Sequence, residues 1–153
     1  MTPVESALVN LGDTLGLTLK LSMQGTLQII LASGMVLDME TEGEASIHAY
    51  TVLAPFPVDS RLASFFPAML EAQLFGRETG DARFGLDADR RQLILHQRFP
   101  LRGAEAVDFS AGLERFLSIA SLWTARLTAP PENPADTSVA QNEPNNSGPW
   151  LRA

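Results

Sequence analysis

The chain has 153 residues, 45% of them hydrophobic and 19% charged, which is the composition of one folded domain and excludes a wholly disordered protein. The 11 Lys and Arg against 18 Asp and Glu give a net charge of -7, and Lys20 is the single lysine, so nucleic acid and anionic membrane surfaces are disfavoured as partners. With no cysteine there is no disulfide, thiolate metal site, iron–sulfur cluster or cysteine nucleophile, and no apolar run approaches the roughly 20 residues of a membrane helix, so a cytoplasmic protein is expected.

Thr2-Pro3-Val4-Glu5 announces the first helix: a threonine to cap free N–H groups, a proline suited to the first turn, and a glutamate able to bond back to the cap. Val4, Leu8, Leu11 and Leu15 then form an apolar stripe that stops at Gly16, which predicts a helix over 3–15. From Leu17 the period shortens towards two. Strands are predicted at 27–31, 35–41 and 46–53, separated by Ser33-Gly34 and Glu42-Gly43-Glu44, as an antiparallel meander. Pro55 and Pro57 close it. Asp59-Ser60 are capping types ahead of an apolar segment containing Leu62, Phe65, Phe66, Met69, Leu70 and Leu74 and ending at Gly76. Pro67 cannot sit inside a regular helix, so either a turn over 60–65 precedes a helix from about 67 or the helix kinks there. Strands at 82–86 and 92–100 follow, joined by a hairpin at Asp87-Ala88-Asp89-Arg90-Arg91. A last helix begins near Asp108, with Phe109, Leu113, Phe116, Ala120, Trp123 and Leu127 at helical spacing. The expected fold class is α+β, a twisted antiparallel sheet with helices in the order α-β-β-β-α-β-β-α.

After residue 127 the composition changes. Residues 128–153 hold 5 of the 10 prolines, 4 asparagines and, as large apolar side chains, only Val139, Trp150 and Leu151. The chain therefore reads as a domain over 1–128 and a disordered Pro/Asn-rich tail over 129–153. The domain keeps 15 acidic against 10 basic residues, a net charge of -5, so the acidity belongs to the folded part. Trp150-Leu151, the one large apolar pair in a polar segment, is a candidate to fold back into a groove.

No phosphate-binding glycine loop, dinucleotide fingerprint or nucleophile elbow occurs. His48 and His96 are the only histidines, and each reads as structural. Asp38, Glu40, Glu42 and Glu44 alternate, and with His48 they suggest a second reading, a small α+β ligand- or cation-binding domain or enzyme using Asp38, Glu40 and His48. A solvated turn and the wet side of an amphipathic strand explain the same residues more simply. Asp87-Ala-Asp89 starts like a calcium loop, but Arg91 stands where an oxygen ligand belongs. No cofactor, metal or catalytic residue is assigned. What remains is surplus apolar surface on the middle helix, nearly all round, which points to a protein partner.

Over residues 4–127 the sequence resembles the class I chaperones of bacterial type III secretion, the Tir chaperone (CesT-like) family. The resemblance lies in Leu8-x-x-Leu11-Gly12-x-x-Leu15-Gly16-Leu17, in Tyr50-Thr51-Val52-Leu53-Ala54-Pro55 and in Met69-Leu70-Glu71-Ala72-Gln73-Leu74-Phe75. It continues in Thr79-Gly80-x-Ala82-x-Phe84-x-Leu86-Asp87 and Phe116-Leu117-x-x-Ala120-x-x-Trp123. Gln73 departs from the alanine–asparagine pair expected there. The resemblance implies a non-enzymatic, cytoplasmic homodimer that needs no ATP of its own. It would hold the N-terminal segment of a secreted effector extended and soluble, with the secretion-apparatus ATPase as a further partner. It also implies a dimer contact through Phe66, Met69, Leu70, Leu74 and Phe84. Leu8, Leu11, Leu37, Met39, Tyr50, Val52 and Leu95 are nominated for the effector.

Overall fold

A computed structural model describes residues 1–56, 63–104 and 106–129. Helix α1 spans Pro3–Leu15. Thr2 Oγ1 accepts the Glu5 N–H while the Glu5 carboxylate accepts the Thr2 N–H, which is the reciprocal cap expected. Gly16, at φ 67, ends the helix in the left-handed conformation. Strands β1 (Thr26–Ile30), β2 (Val36–Glu42) and β3 (Ser46–Pro55) form the meander, each within two residues of the predicted bounds. Helix α2 spans Phe66–Gln73, followed by a 3-10 turn at Leu74–Gly76. Strands β4 (Arg83–Asp87) and β5 (Gln92–Pro100) form the second hairpin, and helix α3 covers Phe109–Thr128 behind an Asp108 cap.

Pro67 lies in the first turn of α2, where the missing N–H has no intrahelical partner to lose, so the helix neither breaks nor kinks at it. The Asp59-Ser60 cap and a turn over 60–65 fall at or across residues 57–62, which lie outside the described residues. The helix stops earlier than Gly76. Leu74 is already extended, and Phe75 turns the chain with φ 55, a conformation that costs a residue with a Cβ about 1 kcal/mol or more.

The five strands pair antiparallel in the order β1-β2-β3-β5-β4, leaving β1 and β4 as edges. Alternation puts Ile29, Leu37, Met39, Ile47, Ala49, Leu93, Leu95 and Phe99 on one face, where α1 and α3 cover them. Phe99 stacks edge-to-face on Phe109 and Phe116, and Phe84 does the same on Trp123, so α3 is fastened to both β5 and β4. Gly112 is required where α3 crosses the sheet, because a Cβ there would meet the Phe99 ring at 2.9 Å. The opposite face is polar over its middle, with Ile30, Val36, Val52 and Ile94 towards one end. Gln28, Asp38, Glu40, His48, Tyr50, His96 and Arg98 occupy it, as an amphipathic antiparallel sheet allows.

Candidate functional site

Two apolar surfaces lie beside the two edges of the sheet. The first surrounds the β4 edge. Leu70 and Leu74 of the α2 segment are 64% and 47% exposed, Phe75 is 92% exposed, and Leu86 of β4 is 52% exposed. Phe66, Met69, Leu70, Phe84 and Leu86 border a hollow of about 300 Å³ there. Gln73 holds the patch in place: its side-chain carbonyl accepts the Phe84 N–H at 3.0 Å, satisfying a donor that the edge strand would otherwise leave open. Of the nominated dimer residues, Leu70 and Leu74 are exposed, Phe66 and Phe84 are half-buried, and Met69 is a core residue at 3%. Phe75 and Leu86 were not nominated. Phe75 was legible as one more apolar residue after Leu74, but its exposure follows from a positive φ that nothing in the sequence signals.

The second surface lies at the other end of the sheet, where the C-terminal half of α1 and the N-terminal half of α3 diverge over β1. Leu11, Leu15, Ile29, Leu31, Leu113 and Leu117 line a groove of about 440 Å³ whose exposed wall is mostly apolar. Glu114 stands on its rim. No strand pairs with the outer side of β1 among the described residues.

The residues nominated for an extended partner divide between faces. Leu8, Leu11, Leu37, Met39 and Leu95 are buried in the protomer core, between 0% and 6% exposed, because the inward half of each alternating strand is what the helices cover. Leu11 and Leu37 nevertheless reach the floor of the α1–α3 groove. Tyr50 and Val52 lie on the outer face, half-buried and 40% exposed respectively. They border a larger, more polar hollow of about 830 Å³ together with Gln28, Asp38, Arg90 and Thr124. The groove residues Leu15, Leu31, Leu113 and Leu117 were missed, since only packing shows that two helices splay apart at that point.

The polar outer face does not assemble a cation site. Gln28 donates to Asp38 at 2.7 Å, Tyr50 donates to Glu40 at 3.1 Å, and Glu42 is taken by Arg98 at 2.6 Å and by His48 at 3.3 Å. Asp38, Glu40 and His48 therefore serve three different partners, and no cluster of three metal-ligating side chains occurs among the described residues. The ligand- or cation-binding reading loses the site it required. Burial, then the hydrogen bond to Glu40 and the nearby carboxylates, push the Tyr50 phenol above its ordinary pKa, so it remains a neutral donor. The hydrogen bond from Arg98, then that from His48, holds the Glu42 carboxyl below its ordinary value.

The chain thus combines a small antiparallel sheet with helices on one face, an exposed apolar patch at one edge and an apolar groove at the other. The sequence profile of the Tir chaperone protein (CesT) family matches residues 6–124, and the chain belongs to that family. No curated protein matches the chain significantly. Among solved structures it is similar to a chain of the HopA1–SchA chaperone–effector complex, at 16% identity and a TM-score of 0.61, covering 82% of this chain and 92% of that one. It is similar to a chain of the ExsC–ExsE complex at 20% identity and a TM-score of 0.61, covering 81% and 92%. A chain of the heterodimeric ExoU–SpcU complex from the type III secretion system of Pseudomonas aeruginosa matches at 20% identity and a TM-score of 0.59, covering 81% and 93%. At these identities the likeness establishes the fold. Among the described residues, no helix is long and apolar enough to cross a membrane.

Proposed function

We propose that the chain is a class I type III secretion chaperone that binds the N-terminal segment of an effector in extended form and keeps it soluble and competent for secretion. Membership of the chaperone family carries the class, and the relatives described as chaperone–effector complexes support the kind of partner. Two features of the geometry support a site beside β1. An extended segment adds main-chain hydrogen bonds along the outer side of β1 beyond Thr26, whose own N–H and C=O are taken by Ser22, and sets alternate apolar side chains into the α1–α3 groove, so the cargo need not fold on its own. Ordering such a segment costs several kcal/mol, and a wrapped surface longer than one protomer offsets it.

The second surface supplies that length. Leu70, Leu74, Phe75 and Leu86 meet their symmetry mates across a two-fold axis, which covers the apolar edge and joins two cargo tracks. The protein acts in the bacterial cytoplasm, without a cofactor and without chemistry of its own. Hand-over to the secretion-apparatus ATPase follows from the same reading.

Co-expression with the product of the adjacent reading frame, followed by mass measurement and hydrogen exchange, tests it. Two copies of this chain per cargo, with cargo amides protected along a segment that has no globular core, is the expected result. A strictly monomeric protein, or a cargo bound as a folded domain, would overturn the reading.

A further inference from the structure

The α1–α3 groove has a candidate occupant within the same chain. Helix α3 ends at Thr128, and residues 130–149, all polar or small apart from Val139, lead to Trp150-Leu151-Arg152. From Ala129 back to Leu117 and Leu113 is roughly 18 to 24 Å along the helix at 1.5 Å per residue. Twenty residues of coil would have a root-mean-square span of about 25 Å, which matches the reach to the groove. The chemistry matches as well. Leu11, Leu15, Ile29, Leu31, Leu113 and Leu117 offer an apolar seat to an indole and a leucine, and Glu114 on the rim offers a carboxylate to the arginine that follows them. The larger hollow beside Thr124 starts nearer the tail and includes Met35, Val36 and Val52, but Gln28, Asp38, Arg90 and Gln92 share its lining and make it the more polar seat of the two.

We infer that Trp150-Leu151-Arg152 docks in the α1–α3 groove of the cargo-free protein, as an internal stand-in for a client segment. Its regulatory meaning, that a client must displace the tail, rests on the function proposed above; the docking itself does not. A tether of this length gives an effective concentration on the order of a millimolar, so a groove that held the free segment at only about 0.1 mM would be filled about nine-tenths of the time. The tail would then shield the groove from aggregation and yield to a longer client that also pairs with β1.

Fluorescence of the full-length, cargo-free protein tests the docking, so its failure is separable from failure of the chaperone reading. Trp123 is 1% exposed and forms a shielded background, which the Trp150→Ala variant defines. Trp150 is expected to emit at short wavelength and to resist acrylamide. Leu15 is 45% exposed on the groove wall, so Leu15→Glu leaves the core intact. A tenfold weakening of the seat by that change raises the quenchable fraction of Trp150 roughly fivefold, from about a tenth to about half. Glu114→Arg raises it less, and Glu114→Arg combined with Arg152→Glu restores protection. Trp150 quenched in the unaltered protein as freely as in urea would overturn the proposal. So would protection that both Leu15→Glu and Glu114→Arg leave unchanged, because the tail would then be seated elsewhere.

Discussion

The two edges of the sheet are finished in different ways. At β4 the edge is stopped by a helix: Gln73 takes the Phe84 N–H, and Leu70, Leu74, Phe75 and Leu86 project around it. At β1 no further strand pairs with the edge among the described residues, and the apolar surface beside it is concave, bordered by α1 and α3. A projecting patch of large side chains suits a second rigid copy of itself, since both sides are ordered in advance. A groove beside open main-chain groups suits a segment that arrives without structure. On the function proposed above, one small sheet would separate self-association from client capture by what each edge is given to stand against.

The largest effect tests what holds the β4 edge in position. Trp123 packs edge-to-face on Phe84 at 5.0 Å and lies under Arg126 at 4.7 Å, so Trp123→Ala opens a cavity between α3 and β4. A loss of about 3–5 kcal/mol is expected in urea unfolding, with the dimer dissociating at denaturant concentrations that leave the β1 end protected from hydrogen exchange. Loss of protection at both ends together would show that the sheet opens as one unit. The proposed dimer contact comes next. Leu70→Glu is expected to cost about 2 kcal/mol or more of association, roughly thirtyfold in the dimer dissociation constant measured by sedimentation, while far-ultraviolet dichroism is unchanged. Phe75→Gly separates the two properties of that residue, because it relieves the positive φ while removing the exposed ring. The monomer fold should gain stability as the dimer weakens.

A smaller effect concerns the stopper. Gln73→Leu keeps the volume and removes the acceptor from the Phe84 N–H, so a loss of about 1 kcal/mol and faster exchange of that one amide are expected. Unchanged exchange at Phe84 would mean that another group already serves it.

The order of elements was legible because each signal is local. The Thr2 cap, the Gly16 stop, the two-residue alternation of 46–53 and the stripe from Phe109 to Leu127 are decided within a few residues of chain. The edges were less legible because they are decided by contacts distant in sequence. Met69 and Leu70 are adjacent apolar residues of one helix, yet one is 3% exposed and the other 64%, and which of them faces the sheet is set by where β4 lies. Leu95 and Val52, near neighbours across the β3–β5 pair, divide in the same way, 0% against 40%, because α3 lies over one face only. The groove could not be read at all, since it is a gap between two helices that are each predicted correctly.

The smallest expected effect belongs to the polar face that both edges share. His96 on β5 stands opposite Tyr50 on one side and Arg83 on the other. Burial, then the charges of His48 and Arg83, push its pKa below the ordinary value of 6.5. The unfolded chain therefore takes up this proton more readily than the folded one. The contribution of His96 is complete above pH 6.5 and declines as the pH falls through that value towards the lowered one. Glu42 has the same sign at lower pH: its carboxyl is held below 4.5, chiefly by Arg98, and its contribution is lost as the pH falls through the folded value. Urea midpoints at pH 7.5 and 5.5 should differ in the unaltered protein and differ less in His96→Gln, whereas Arg83→Gln should move the imidazole titration upward in proton NMR. A pH difference that survives in His96→Gln would overturn the assignment to His96.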